Sequence, residues 1–256
     1  MKHSQIAAQL YTIRDYLKTP AEIAVSLKKI REIGYTAVQV SAMGPIAEEE
    51  LNRILAGEGL TCCATHEPSD LIRKNPEKVI ERLQALECGI TAYPYPLDVD
   101  FSKKDDVEEL IDDLNKAGEK MRRAGITLCY HNHAIEFVKV NGKTILDHIY
   151  DSIPKENLAS EIDTYWVQYG GGDPIEWCRK LEGRMPIIHL KDYKFTTENK
   201  PDYAEIGYGN LDWKRLISAA DQAGCHWYTV EQDTCDGDPF DSLKMSFEYI
   251  KNNLVE

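Results

Sequence analysis

The residues with the most chemistry to offer fall in short, separated runs. They are Gln9 with Tyr11, His66-Glu67-Pro68, Tyr130-His131-Asn132-His133 with Glu136 beyond, Glu161-Ile162-Asp163 followed by Trp166, His189-Leu190-Lys191-Asp192, and Glu231-Gln232-Asp233. Each closes a short apolar stretch, and four of the seven histidines of the chain lie in them beside several carboxylates. Imidazole mixed with carboxylate suits Mn²⁺, Zn²⁺, Co²⁺ or Fe²⁺ better than Ca²⁺, and no thiolate stands at these positions to suggest a structural zinc. A single strand-end histidine is more often a hydrogen-bonded structural residue than a ligand. Asp163, His189 and Glu231 on three successive strands outweigh that reading, and His131 is taken as the fourth ligand. Side chains alternate along a strand, so His131 and His133 share a face, as do Glu161 and Asp163. Asn132 then points away and bonds a neighbour. His3, His148 and His226 lie outside these runs and read as structural.

One pattern positions the runs: an amphipathic stretch, a glycine, then a short apolar run. It recurs as EIG-YTAVQV, GEG-LTCCAT, ECG-ITAYPY, RAG-ITLCYH and QAG-CHWYTV. A glycine just past a helix takes the left-handed position without a Cβ clash. A short run that is nearly all apolar reads as a parallel strand buried on both faces. Strands are expected at 5–11, 36–41, 60–66, 89–94, 126–132, 158–163, 186–190 and 227–231. Helices fall between them: Thr19-Pro20-Ala21-Glu22 is a capping box with proline at the first helical position. Val107, Leu110, Ile111, Leu114, Ala117 and Met121 mark one face of a longer helix. Further helices are expected to start near Asp173-Pro174, Asp212-Trp213 and Asp238-Pro239. Eight βα units in 256 residues predict a single (β/α)8 TIM barrel over 1–256. An open doubly wound sheet would carry a glycine-rich phosphate turn after its first strand, and Gln9-Leu10-Tyr11-Thr12-Ile13-Arg14 stands there instead.

Composition narrows the partners. Net charge is −13, with 43% hydrophobic and 29% charged residues. A nucleic-acid binder needs a basic stripe. The basic clusters Lys28-Lys29-Arg31 and Lys120-Arg122-Arg123 read as solvated helix faces. No apolar run approaches the roughly 18–20 residues of a membrane span, and the opening MKHSQIAAQLYT is too short and polar for a signal peptide. The expected setting is therefore the cytoplasm. The seven cysteines are scattered without a CxxC pair and read as reduced thiols packed in the core.

Taken in order, the runs above, together with Phe137, Tyr165, Gly207-Tyr208-Gly209 and Asp212-Trp213, resemble the sugar phosphate isomerase/epimerase family of the xylose isomerase-like TIM barrel superfamily. The resemblance spans nearly the whole chain. It implies a divalent metal, often Mn²⁺ with Mg²⁺ among the alternatives, held by a strand-5 carboxylate, a strand-6 Asp, a strand-7 His and a strand-8 Glu. Carried over, the last three are Asp163, His189 and Glu231. Many members have Glu-Asn-His on strand 5 where this chain has His131-Asn132-His133. Either His131 replaces that ligand or Glu136 swings back to serve. Members often dimerise, so a homo-oligomer is within what the resemblance implies.

The chemistry that fits is proton abstraction from a carbon beside a carbonyl, with a metal holding two vicinal oxygens and stabilising an enediolate. His133 is the candidate base, with an ordinary pKa of about 6.5. Glu231 and Glu136 are the carboxylate candidates, and Lys191 could donate to a developing oxyanion. Gln9, His66, Trp166 and Asp192 are the expected substrate-binding residues. The expected function is a metal-dependent isomerase or epimerase of a small-molecule sugar or cyclitol. A lyase or dehydratase acting on a keto-sugar or inosose is the alternative, and a non-catalytic sugar-binding barrel the remaining one.

Overall fold

The capping and glycine signals punctuate a closed parallel barrel. The computed structural model describes residues 1–255. The strands are β1 (Ile6–Gln9), β2 (Ala37–Val40), β3 (Thr61–His66), β4 (Ile90–Tyr93), β5 (Thr127–His131), β6 (Ala159–Asp163), β7 (Ile187–Leu190) and β8 (Trp227–Val230). Each pairs with its neighbours in sequence, and β8 returns to β1. Around them run α1 (Pro20–Ile33), α2 (Glu48–Glu58), α3 (Ser69–Lys74), α4 (Pro76–Ala85), α5 (Lys104–Arg123), α6 (Ile145–Ser152), α7 (Thr164–Tyr169), α8 (Pro174–Lys180), α9 (Trp213–Gln222) and α10 (Pro239–Asn253). This is the single (β/α)8 barrel that the strand count predicts.

The helix starts follow their sequence signals. The Thr19 hydroxyl accepts from Glu22 N while the Glu22 carboxylate accepts from Thr19 N, the reciprocal capping box. Asp173, Asp212 and Asp238 each accept from a first-turn amide of α8, α9 and α10. The glycine signal holds at Gly34, Gly59, Gly125 and Gly224, all with positive φ. It fails at Gly89. There α4 closes early: Cys88 N donates to Leu83 O at 2.9 Å, and Glu87 takes the left-handed position with φ 52°.

Two short antiparallel hairpins, Lys139–Val140 with Lys143–Thr144 and Asp192–Phe195 with Pro201–Ala204, are additions that the alternation count does not reveal. Between strands and helices lies a continuous apolar core. Inside the barrel, a layer of small residues that includes Ala7, Ala37, Ala64, Cys129 and Ala159 fills the narrow axis with Ile187. Stepping two residues along each strand from that layer gives Gln9, Gln39, His66, His131, Glu161 and His189. The period of two therefore stacks a polar layer directly on a dry one. All seven cysteines are free, and six of them are buried. No helix among the described residues is long and apolar enough to cross a membrane.

Candidate metal centre and active-site cavity

Four strand ends bring ligand-type atoms together. His131 ends β5, Asp163 ends β6, His189 lies in β7, and Glu231 follows β8. All four are buried, and one donor atom from each lies within 4.8 Å of the others. His189 Nδ1 is 3.0 Å from Glu231 Oε2 and 3.9 Å from Asp163 Oδ2; His131 Nε2 is 4.0 Å from Asp163 Oδ2. Local structure aims the aspartate. Its Oδ1 caps α7 by accepting from Trp166 N at 2.9 Å, and the amide of Asp163 donates to Asn132 Oδ1 at 3.0 Å. The buried Oδ2 has no hydrogen-bond partner. A buried carboxylate oxygen in that state needs a cation near it, and the Lys191 ammonium stands 3.2 Å away.

In the other grouping of close donors, His66, His131, Glu161 and His189, all but His131 are already spent on internal bonds. Glu161 accepts from Gln39 Nε2 at 2.6 Å, stands 2.6 Å from His66 Nε2, and lies 3.2 Å from His189 Nε2. Gln39 Oε1 in turn meets His189 Nε2 at 2.7 Å and Gln9 Nε2 at 3.0 Å. The network ties down Nε2 of His189 and leaves Nδ1 for Asp163 and Glu231. This is how an outer partner fixes the orientation of a ligand histidine. The chemistry of the donor set, two imidazoles and two carboxylates within 4.8 Å of one another, fits a divalent ion at His131, Asp163, His189 and Glu231.

Without an ion, this buried charge is balanced by protons. Burial alone would lower the pKa of His189, but the carboxylates of Glu161 and Glu231 override it and hold the ring up at about 10. Burial and the neighbouring His189 push His131 down to about 3. Lys191 is fully buried, which is rare for lysine. Its Nζ lies 2.9 Å from Glu231 Oε2, 2.9 Å from Asp233 Oδ1 and 3.2 Å from Asp163 Oδ2. Burial opposes its charge, yet these three carboxylates raise its pKa well above the ordinary value. The lysine therefore stays an ammonium at the edge of the site.

Above the donors opens a cavity of about 790 Å³. Its walls include His66, His131, His133, Trp166, Lys191, Glu231 and Asp233. Trp166 stands 5.4 Å from the His133 ring, and Lys191 Nζ lies 5.5 Å from the Trp166 ring centre. His133 Nδ1 and Trp166 Nε1 are buried without partners. Burial, reinforced by the nearby His131 and Lys191, drives the pKa of His133 well below its ordinary value, so the ring is neutral at pH 7.

Three expected site residues stand elsewhere. Glu136 is fully buried beneath the β5 loop, accepting from the Tyr130 hydroxyl at 3.0 Å and from His133 N at 2.8 Å. Those bonds hold the loop and keep Glu136 off the cavity, so it neither completes the metal set nor faces a substrate. Burial raises its pKa to about 7. Asp192 is also corrected. Its carboxylate accepts from the amides of Gly207, Gly209 and Leu211 and from Trp213 Nε1 at 2.6 Å, pinning the segment before α9. Gln9 lies under the cavity floor and acts through Gln39 and His66. Glu161 and Gln39 were missed as functional residues. A lone amide in the apolar run AVQV, and a second acid two residues before Asp163, were their only signals.

Residues 27–253 match the family model described as a xylose isomerase-like TIM barrel. An inosose dehydratase of Geobacillus thermodenitrificans is 24% identical over 159 residues, covering 56% of this chain and 53% of that protein. The chain thus spans about half the length of the curated relatives it matches. Among solved structures, a sugar phosphate isomerase/epimerase from Parabacteroides distasonis superposes with a TM-score of 0.84 at 20% identity, over 99% of this chain and 96% of that one. A probable 3-DHS dehydratase from Bacillus anthracis gives 0.74 at 12% identity, over 99% and 100%. At these identities the structural likeness establishes the fold alone.

Proposed function

The chain belongs to the xylose isomerase-like TIM barrel family, and from that premise we propose that it is a cytoplasmic, divalent-metal-dependent enzyme that breaks a C–H bond beside a carbonyl of a small sugar or cyclitol. The observation that carries this reading is the buried His131, Asp163, His189 and Glu231 set opening into a cavity that also holds His133 and Lys191. An ion held there, Mn²⁺ by this reading, would supply Lewis-acid stabilisation to negative charge developing on a substrate oxygen.

The remaining work falls to side chains. His133, neutral and facing the cavity with an unpartnered Nδ1, takes the proton. Lys191, kept charged by its three carboxylates, donates a hydrogen bond toward the developing oxyanion. Trp166 forms a flat wall with a free indole N–H for a hydroxyl. Glu161 and Gln39 hold His66 and His189 in place from below.

Two outcomes follow from one abstraction. Expulsion of a β-oxygen gives a lyase or dehydratase; return of the proton to carbon gives an isomerase or epimerase. Elimination is the outcome this geometry supports best. The strand-5 position holds imidazole and Glu136 is locked under its loop, so no second carboxylate from β5 stands against Glu231. His133 is instead a ring whose charged form is destabilised, which returns its proton readily to a departing oxygen. The relatives named inosose dehydratase stand on the same side. The isomerase or epimerase reading is carried by His133 and Glu231 lining one cavity, two groups able to exchange a proton with carbon.

The test is turnover of a ketose and inosose panel in D₂O by metal-loaded protein, read by mass spectrometry and NMR. Elimination yields a product lighter by the expelled group, with a new conjugated carbonyl absorbance. Isomerisation yields an unchanged skeleton carrying deuterium. Exchange and product both absent across the panel would contradict the proposed chemistry.

A further inference from the structure

We infer that Asp233, which stands outside the ligand set, is a positioning residue for it: its carboxylate keeps the Lys191 ammonium beside the divalent ion instead of in competition with it. This rests on the proposed metal reading of the site and assigns that site a further residue.

Two oxygens are claimed twice. Asp163 Oδ2 and Glu231 Oε2 face His189 Nδ1 at 3.9 and 3.0 Å. The same two atoms face Lys191 Nζ at 3.2 and 2.9 Å. An ammonium and a divalent ion cannot both take a full share of these buried oxygens, because cations so close repel strongly where water is scarce. The remaining acceptor of Lys191 is different. Asp233 Oδ1 lies 2.9 Å from Nζ, and Asp233 belongs to neither group of close ligand-type donors among the described residues. The lysine therefore keeps this partner whichever cation Asp163 and Glu231 serve. The charges balance as well. A divalent ion and Lys191 bring three positive charges, and Asp163, Glu231 and Asp233 bring three negative ones. Without Asp233, one positive charge is left uncompensated in a buried site, which is costly.

The surroundings mark out a place for the ammonium off the ligand set. Nζ lies 5.5 Å from the Trp166 ring centre and 5.7 Å from that of Tyr203, within reach of a cation–π attraction. The two rings stand edge to face, 6.2 Å apart, and Tyr203 stacks on Tyr165 at 4.3 Å. Tyr203 belongs to the hairpin strand Pro201–Ala204, so this addition to the barrel closes one side of the lysine's slot. Asp233 closes another and is itself held. Arg14, lying 4.2 Å over the Tyr11 ring, donates from Nη2 to Asp233 O at 3.0 Å. Next to it, Gln232 N donates to Thr12 Oγ1 at 3.0 Å. The segment that follows β1 thus pins the backbone that carries the aspartate.

The test is calorimetric titration of chelator-stripped protein with Mn²⁺. Asp233→Asn is expected to weaken binding about tenfold or more, as changes to the residues that orient a ligand set do. Lys191→Met should bind Mn²⁺ more tightly than wild type, because the competing cation is gone. In the Lys191→Met background, Asp233→Asn should cost less than about threefold, the signature of two coupled residues. A ligand, or a residue that only supports its loop, would cost the same in both backgrounds. Unchanged affinity in Asp233→Asn, or an equal loss with and without Lys191, would overturn the inference and leave the metal site standing. No Mn²⁺ binding by wild type would overturn the metal reading and this inference with it. Where the double variant fails to fold, Lys191→Met alone decides, or Lys191→Gln if methionine is not tolerated: affinity no tighter than wild type overturns the inference.

Discussion

Glu161→Gln should destabilise the metal-free protein by about 3 kcal/mol, the lower part of the 3–5 kcal/mol range for breaking a buried pair by removing one charge. For a chain of this size, that corresponds to a fall in thermal midpoint of roughly 6–12 °C. The reason is the number of groups that share this one carboxylate. Gln39, His66 and His189 all lean on it, with no solvent within reach to replace it. The pH dependence should change as well. The His189 pKa is held at about 10 in the folded metal-free protein, against 6.5 ordinarily. A raised pKa of this kind contributes stability that is fully present below about 6.5 and is lost as pH rises toward 10. Metal-free wild type should therefore melt at steadily lower temperature from pH 7 to pH 10, and Glu161→Gln should flatten that decline. Thermal melts of chelated protein across this range are the check. A variant that melts within a degree of wild type, with the same alkaline decline, would show that Glu161 does not organise the site.

His133→Ala should lower kcat by about 10³-fold, the middle of the range for a general base, while metal content stays unchanged. His133 lines the cavity, but its ring lies outside the His131, Asp163, His189 and Glu231 set. The variant opens space at the point of proton transfer, so added imidazole should restore part of the rate. Steady-state kinetics and elemental analysis of the same preparation separate the possibilities. Parallel loss of metal and rate would make His133 a ligand. An unchanged rate would remove it from the chemistry.

The fold was legible because its signals are local. Capping residues such as Thr19 and Asp238 act within one helical turn, and the expected strands fall within a residue or two of those observed, the largest difference being at the end of β1, which closes at Gln9. The site was legible at the level of strand ends, because the barrel fixes which end of each strand faces the mouth. Individual roles were less so. Glu136 and Asp192 look like site residues by type and position, but their partners, the Tyr130 hydroxyl and the Gly207–Trp213 segment, are set by loop conformations with no periodic signature. Glu161 escaped for the opposite reason. Its importance lies in contacts to Gln39 and His66 on strands far away in sequence. The early closure of α4 at Glu87 displaced a glycine signal for a similarly local, unreadable reason.

The central claim is that the four strand ends hold a divalent ion, and its most direct test is metal content per chain in protein purified without chelator and re-equilibrated with Mn²⁺. Wild type should carry close to one equivalent and Asp163→Ala almost none, because that change deletes one of the two carboxylates of the four-residue set. No metal in wild type, or equal metal in the two proteins, would contradict the claim.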